Sequence, residues 1–222
     1  MGAVDSLGDL LRTAVLIVAA LFPIVNPLGG APIFLTMTST CASDVREDLA
    51  RRVAINGFVL LGVSLFLGKH ILGFFGISIP VMQVAGGLVL GATAWVLLRQ
   101  GESAPKAGPA EPWTQDQIRS AAFYPLTLPV TVGPGSISVA ITLGANAPVS
   151  TLHPLALGVA AFAGITAIAV SIYVCYSFAE RLSRLLGPTG MSVFLRLSSF
   201  ILLCIGMQIA WNGASALIAT LR

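Results

Sequence analysis

Long apolar stretches separated by short charged segments dominate the pattern of the chain. Residues without formal charge run over 13–43, 53–68, 70–98, 120–179 and 197–221. Each run is comparable to or longer than the roughly 20 residues that a helix needs to cross a bilayer, and 120–179 has room for two crossings. The pattern therefore predicts an all-α membrane protein with six transmembrane helices. We expect these helices at about 8–38, 51–73, 77–98, 119–146, 153–178 and 191–220.

One long polar segment, rich in proline and glycine, divides this pattern near the middle of the chain. Such a composition is typical of a flexible linker. We therefore expect a first three-helix unit at 1–98, a cytoplasmic linker at 99–118 and a second three-helix unit at 119–222.

The composition supports a membrane protein and argues against other classes. Hydrophobic residues make up 56% of the chain and charged residues only 9%, against roughly 25% charged in soluble domains. The net charge of +3 is spread over short loops, which argues against nucleic-acid binding. Cys41, Cys175 and Cys204 are odd in number and lack metal-ligand spacing, so we expect no disulfide framework, no metal site and no cofactor.

Positive charge predicts the orientation. With six crossings, Arg12, Lys69 and Arg222 lie on one side of the membrane and the other nine Lys and Arg residues on the opposite side. The side with nine should be cytoplasmic, which places both termini outside the inner membrane. The start of the chain lacks the basic region of a signal peptide, so the first apolar run should be retained as a helix. Three crossings per half also make the two halves an inverted repeat.

Proline spacing supports a duplicated unit. Three prolines of the first half match three of the second without a gap, at a constant offset of 102: Pro23, Pro27 and Pro32 with Pro125, Pro129 and Pro134. A proline inside a helix costs about 3 kcal/mol or more, so helices 1 and 4 should be discontinuous. A single break of this kind usually serves packing, but two matched breaks favour a shared cavity, because free backbone groups at mid-membrane need water, protein or substrate as partners.

The chemistry of these segments favours a small zwitterion. Half-helix ends offer N–H groups to a carboxylate and carbonyl groups to an ammonium group or a cation. We expect the substrate-binding residues to be Asn26, Pro27, Gly29, Gly30, Thr127, Pro129, Thr131, Gly133, Gly135 and Ser136. Secondary candidates, which could equally serve helix packing, are Gln83, Gln208 and Asn212.

Several motifs together resemble the MarC family of integral membrane proteins, over nearly the whole chain. They are Asn26-Pro27-Leu28-Gly29, Phe75-Gly76-Ile77-Ser78-Ile79-Pro80 before Ala85-Gly86-Gly87, Pro125-Leu126 with Pro129, Gly133-Pro134-Gly135-Ser136-Ile137, and Arg196 with Gln208 and Asn212-Gly213. The resemblance implies a six-helix fold with discontinuous first and fourth helices. It also implies a link to transport of small neutral amino acids such as glycine and alanine, which is associated with an archaeal branch of the family.

Two positions depart from the family pattern. Gln83 stands where the family often has an arginine, and Arg196 occupies the related place in the second half. A symmetric pair of arginines is thus reduced to one, which leaves a gating role for Arg196 open. Ser198-Ser199 stands where a glycine is common, and we expect this change to affect helix packing.

These observations predict a secondary transporter of small neutral amino acids that works by alternating access at the broken helices. A channel or exporter of another small solute, or a non-transporting partner subunit, is the alternative. An enzyme is disfavoured, because the apolar runs hold no Asp, Glu or Lys and offer no acid–base partner to a Ser or Cys nucleophile. The same lack disfavours proton coupling through carboxylates, and leaves a coupling cation or simple facilitated exchange open.

Overall fold

The computed structural model describes residues 3–99, 115–146 and 154–220, which are helical apart from short turns and one irregular segment. The central part of the predicted linker, 100–114, lies outside the described residues. The helices are α1 (Ala3–Val25), α2 (Pro27–Met37), α3 (Ser43–Phe74), α4 (Ile79–Arg99), α5 (Gln115–Ala121), α6 (Pro134–Ala145), α7 (Pro154–Ser177) and α8 (Ala179–Ala219). The irregular segment, Ala122–Thr131, lies between α5 and α6.

Five stretches of the described residues are long and apolar enough to cross a membrane, and a bent helix pair adds a sixth if it counts as one span. α1 and α2 together supply the first span, Gly8–Met37. The bent pair consists of Asp116–Thr131 and Pro134–Ala145, whose axes differ by 72°. The described residues are therefore helical, as predicted, with five or six candidate membrane spans.

Two helices begin earlier than the apolar runs predict. α3 starts at Ser43 rather than near 51, and α8 starts at Ala179 rather than near 191. The added stretches are charged, so a criterion based on apolar runs leaves them out. Inside α8 the backbone leaves helical geometry at Gly187, where φ is +66°, a value that glycine adopts readily. The apolar span of α8 begins just after this kink, at Thr189.

Charged side chains tie the ends of several helices together. Arg46, near the start of α3, lies 3.0 Å from the carboxylate of Glu180 at the start of α8. Its guanidinium also donates to the carbonyl oxygen of Cys41, after α2, at 3.2 Å. α3 runs away from this end and α4 returns to it, so Arg99 at the end of α4 lies here too. We call this the arginine-rich end, and the end with the turn between α3 and α4 the distal end.

The helices pack as one large group and one pair. α3 and α7 share a large apolar cluster with α1, α2, the irregular segment and α6. α4 and α8 pack closely on each other, because glycines let their backbones approach. A Cβ atom added to Gly87 of α4 would lie 2.5 Å from the backbone nitrogen of Ala210 and 2.6 Å from the carbonyl oxygen of Gly206. This antiparallel pair forms one wall of the cavity described below.

Replacing Gly87 with alanine should lower the free energy of unfolding by about 1 to 3 kcal/mol, because the new Cβ collides with backbone atoms of α8. Gly91→Ala is the matched control on the same helix, since an added Cβ there meets only the Leu203 side chain, at 3.7 Å. Thermal unfolding in detergent should show a lowered Tm for Gly87→Ala and little change for Gly91→Ala. Equal Tm values for both variants would contradict the close contact.

Candidate functional site

The first transmembrane span is broken at Asn26. Its backbone is left-handed, with φ 46° and ψ 59°, a conformation that asparagine tolerates better than most residues. Asn26 caps α2, because its Oδ1 accepts a hydrogen bond from the N–H of Gly29 at 3.2 Å. Pro27 follows as the first residue of α2, where the missing N–H has no helical partner to lose. The helix therefore stops and restarts inside the span, as the sequence predicts.

The second break covers a longer stretch. Within Ala122–Thr131 the backbone leaves helical geometry at Tyr124 and Leu128, each followed by a proline through a cis peptide bond. Regular helix resumes at Pro134, and Gly133 is its N-cap without any side-chain capping bond. The chain turns by 72° across this region, so the predicted break of the fourth helix is present.

Threonine hydroxyls satisfy backbone groups inside the irregular segment. Thr127 Oγ1 donates to the carbonyl oxygen of Ala122, and Thr131 Oγ1 donates to that of Leu126, both at 2.6 Å. An unpaired carbonyl inside a membrane would cost several kcal/mol, so these bonds stabilise the unwound backbone.

The two breaks correspond in position but differ in length. At the offset of 102 residues, Asn26 corresponds to Leu128, and neither residue has helical geometry. α2 resumes at once, because the asparagine side chain caps it. The apolar side chain of Leu128 cannot cap a helix, and the second half stays irregular up to Pro134, the counterpart of Pro32.

A cavity of about 300 Å³ lies between the two breaks and the pair α4–α8. Residues of the two broken spans line one side of it, and residues of α4 and α8 line the other. The residues that line it include no Asp, Glu, Lys, Arg or His. Its polar side chains are Asn26, Thr93, Thr131, Ser136, Ser198 and Ser199.

Eight of the ten predicted site residues line this cavity, and their binding role stays a prediction. These eight are Asn26, Gly29, Gly30, Pro129, Thr131, Gly133, Gly135 and Ser136. The other two are not among the lining residues. Pro27 is buried in α2, and the Thr127 hydroxyl accepts a hydrogen bond from Asn56 Nδ2 of α3 at 3.4 Å.

The secondary candidates lie outside the cavity lining. Gln83 donates to the hydroxyl of Thr142 on α6 at 3.2 Å. Gln208 donates to the side chain of Asn212 at 2.8 Å, on an exposed face of α8. The last pair is bonded within α8 and contacts no other helix through this bond, so the choice between binding and packing for these residues stays a prediction.

Sequence reasoning missed the contribution of α4 and α8. Thr93 on α4 and Ser198 and Ser199 on α8 line the cavity, although only the serine pair was noticed and it was assigned to packing. An isolated hydroxyl in an apolar helix carries little signal, because such residues bond their own backbone in most membrane helices. Only the packing of α4 against α8 brings these hydroxyls to the breaks.

The hydroxyls in the wall present acceptors rather than donors. Four of them donate their single proton to nearby backbone carbonyls, at 2.6 to 2.9 Å: those of Thr93, Thr131, Ser136 and Ser199. Their oxygens remain acceptors, although Thr131 Oγ1 also has the Tyr176 hydroxyl as a neighbour at 2.7 Å. Backbone N–H groups at the start of α6 are donors instead. The first hydrogen bond of this helix is made by the Ile137 N–H, so the amides of Gly135 and Ser136, which precede it, have no partner within the helix.

Tyr176 on α7 connects the two breaks from behind the cavity. Its side chain is fully buried, and its ring stacks on Phe34 of α2 at a centroid distance of 4.6 Å. Its hydroxyl lies 2.7 Å from Thr131 Oγ1 and must be the donor, since the Thr131 proton is already directed at Leu126. The same hydroxyl lies 2.5 Å from where a Cβ would be on Gly30. One side chain thus contacts a cavity-lining residue of each half.

Replacing Gly30 with alanine should lower the free energy of unfolding by about 1 to 3 kcal/mol, because the new Cβ collides with the Tyr176 hydroxyl. In the Tyr176→Phe background the cost should be smaller by about 1 kcal/mol, since the nearest remaining atoms are ring carbons at 3.3 Å. Unfolding of the two single variants and the double variant in detergent measures this coupling. Additive costs would show that Tyr176 and Gly30 are not in contact.

Comparison with known proteins assigns the chain to a family. Residues 11–218 match the model of the MarC family integral membrane protein. The inner membrane protein MarC of Salmonella typhimurium is 29% identical over 217 residues, which cover 96% of this chain and 98% of the relative. A membrane protein of Pyrococcus abyssi is 31% identical, over 92% of this chain and 96% of its own length. The membrane protein YhcE of Escherichia coli is 30% identical, over 87% of each chain.

No solved structure matches the chain. The names of the relatives and the apolar helices together support a multi-pass protein of the inner membrane, while the side on which the termini lie stays a prediction. The match covers both breaks and the cavity between them. The chain therefore belongs to the MarC family of integral membrane proteins.

Proposed function

We propose that the protein is a secondary transporter of small neutral amino acids, which bind as zwitterions in the cavity between the two helix breaks. One observation carries this proposal. The N-terminal ends of α2 and α6 reach the same uncharged cavity, through Asn26 and Gly29 on one side and Gly135 and Ser136 on the other. The dipoles of both helices favour a carboxylate in this site without cationic side chains. The amides of Gly135 and Ser136, which precede the first hydrogen bond of α6, can donate to it, whereas the Gly29 amide is already bonded to Asn26.

The opposite charge of a zwitterion also finds partners. α1 ends at Val25, and Pro27 has no N–H, so the carbonyl of Pro23 lacks its helical partner at the C-terminal end of α1. Ile24 and Val25 of this last turn line the cavity. Carbonyl oxygens and the acceptor hydroxyls of the wall suit an ammonium group. A zwitterion therefore pairs with both sets of groups, whereas a simple anion or a simple cation pairs with one.

Size and charge restrict the substrate further. The cavity volume of about 300 Å³ lies at the lower end of the range for ligand sites, and four of the lining residues are glycines, which leave room for a small guest. Those glycines are Gly29, Gly30, Gly133 and Gly135. An acidic or basic substrate would bring a charged side chain to a lining without a counter-charge, at a large desolvation cost. Glycine and alanine meet these restrictions.

The packing of the helices supports an inverted repeat. Exchange of the two halves maps α3 onto α7 and α4 onto α8. The contacts between helices agree with this exchange. α3 packs on its counterpart α7, and α4 packs on its counterpart α8. In addition, α3 packs on the broken fourth span, and α7 packs in the same way on the broken first span. α4 also contacts α6 as α8 contacts α2. Rocking of two such units around a fixed site is a common route to alternating access.

The lining also bears on the source of energy. We propose that coupling does not use a carboxylate, because the lining contains none, and that a cation held by carbonyls and hydroxyls or simple exchange drives transport. The same lining offers no acid–base pair for catalysis, so we propose a carrier rather than an enzyme.

Asn26→Asp tests the site with little change of shape. The carboxylate keeps the Oδ1 acceptor for Gly29 and tolerates the left-handed backbone, but it replaces the Nδ2 donor by a negative charge in the cavity. Uptake of labelled alanine by proteoliposomes should fall about tenfold or more, because the new charge repels the substrate carboxylate. Asn212→Asp makes the same chemical change outside the cavity and should leave uptake within about twofold.

Equal uptake by the two variants, with both monodisperse, would remove Asn26 from the site. Uptake that does not saturate with alanine concentration would favour a channel over a carrier.

A further inference from the structure

The cavity is displaced toward the arginine-rich end. On α4 its lining residues run from Val89 to Leu97, two positions before Arg99 at the end of the helix. On α8 they run from Leu195 to Leu202, in the half of the span nearer Thr189. Both helices therefore line the cavity in their halves near the arginine-rich end.

Hydrogen bonds join α4 and α6 between the cavity and the distal end. Gln83 Nε2 donates to Thr142 Oγ1 at 3.2 Å, and Thr142 Oγ1 donates to the carbonyl oxygen of Ser138 at 2.9 Å. Ser138 Oγ in turn lies 3.4 Å from the carbonyl oxygen of Met82. The three polar side chains thus link the first turns of α4 to the second and third turns of α6. The Ser138 side chain is only one turn beyond Gly135, which lines the cavity.

Close backbone contacts lie at the same level. A Cβ on Gly86 of α4 would lie 2.6 Å from the Ser138 side chain on α6. A Cβ on Gly213 of α8 would lie 2.5 Å from the carbonyl oxygen of Pro80, also on α4. α4 therefore touches both α6 and α8 near the distal end, while a cavity lies beside it in the other half.

We propose that Gln83 and Thr142 form the distal gate of the transporter, and that the structure is the state in which the cavity is accessible from the arginine-rich end. The transport role of this gate rests on the function proposed above, but closure of the distal end can be tested without a substrate. The gate depends on a bond of modest strength between two neutral side chains, which suits a contact that forms and breaks in each cycle.

A structural bond and a gate differ in one measurable respect. Loss of a purely structural bond lowers stability and leaves the route into the cavity unchanged. Loss of a gating bond raises the population of the state open at the distal end, and so raises access from that side. Side-specific chemical labelling of the cavity measures this difference.

The experiment uses a single cysteine in the cavity. Cys41, Cys175 and Cys204 are free thiols and are first replaced by alanine, and Ser198→Cys then supplies the reporter on the cavity wall. Vesicles of both orientations receive a membrane-impermeant maleimide. In the reporter protein, labelling from the arginine-rich side should be about tenfold faster or more than from the distal side, since about 1.4 kcal/mol separates populations tenfold.

Gln83→Leu removes the bond to Thr142 at similar side-chain size and should raise the distal labelling rate several-fold. Thr142→Val removes the same bond from the other partner and should have the same effect, which covers the case that one variant folds poorly. Gln208→Leu is the matched control, because Gln208 is bonded to Asn212 within α8 and lies outside this contact. Its distal rate should equal that of the reporter protein.

Unchanged distal labelling in both gate variants would overturn the gate. Equal labelling from the two sides in the reporter protein, or labelling from neither side, would overturn the assignment of the open end. The expected labelling pattern together with an absence of alanine uptake would uphold the gate and contradict the proposed substrate instead.

Discussion

Backbone groups released inside a membrane must find partners, and this constraint explains the arrangement of the whole molecule. Prolines interrupt two spans, and each N–H or carbonyl left unpaired in hydrocarbon costs several kcal/mol. Asn26 caps the helix that starts at the first break, and the hydroxyls of Thr127 and Thr131 donate to backbone carbonyl oxygens at the second break. Residues of both breaks line one cavity, where a guest or water can satisfy groups that remain unpaired.

The rest of the fold keeps that cavity neutral and small. Glycines allow α4 and α8 to pack closely, and this pair places the hydroxyls of Thr93 and Ser199 opposite the breaks. On the side of the breaks away from the cavity, the ring of Tyr176 stacks on Phe34 of α2 and its hydroxyl bonds to Thr131. Charged pairs such as Arg46–Glu180 lie at the ends of helices, outside the cavity lining. The lining is therefore mostly apolar, and its polar groups are hydroxyls, an amide and backbone dipoles rather than charges.

Local chemistry made the breaks predictable, and three-dimensional packing made the rest unpredictable. Prolines and glycines restrict the backbone wherever they occur, so the interruptions near Pro27 and Pro129 can be read from residues alone. Thr93 and Tyr176 carry no such local signature, because their roles depend on which helix lies opposite. The charged first turns of α3 and α8 were missed since apolar runs define only the part of a helix inside the bilayer.

The central claim is that opposed helix ends in an uncharged cavity recognise both charges of one small molecule. Equilibrium binding of labelled alanine to the purified protein in detergent tests it most directly, with glycine, acetate and ethylamine as competitors. We expect saturable binding that glycine displaces and that acetate or ethylamine, each with only one of the two charges, displaces far more weakly. Absence of saturable binding, or displacement by either single ion as effective as by glycine, would contradict the account.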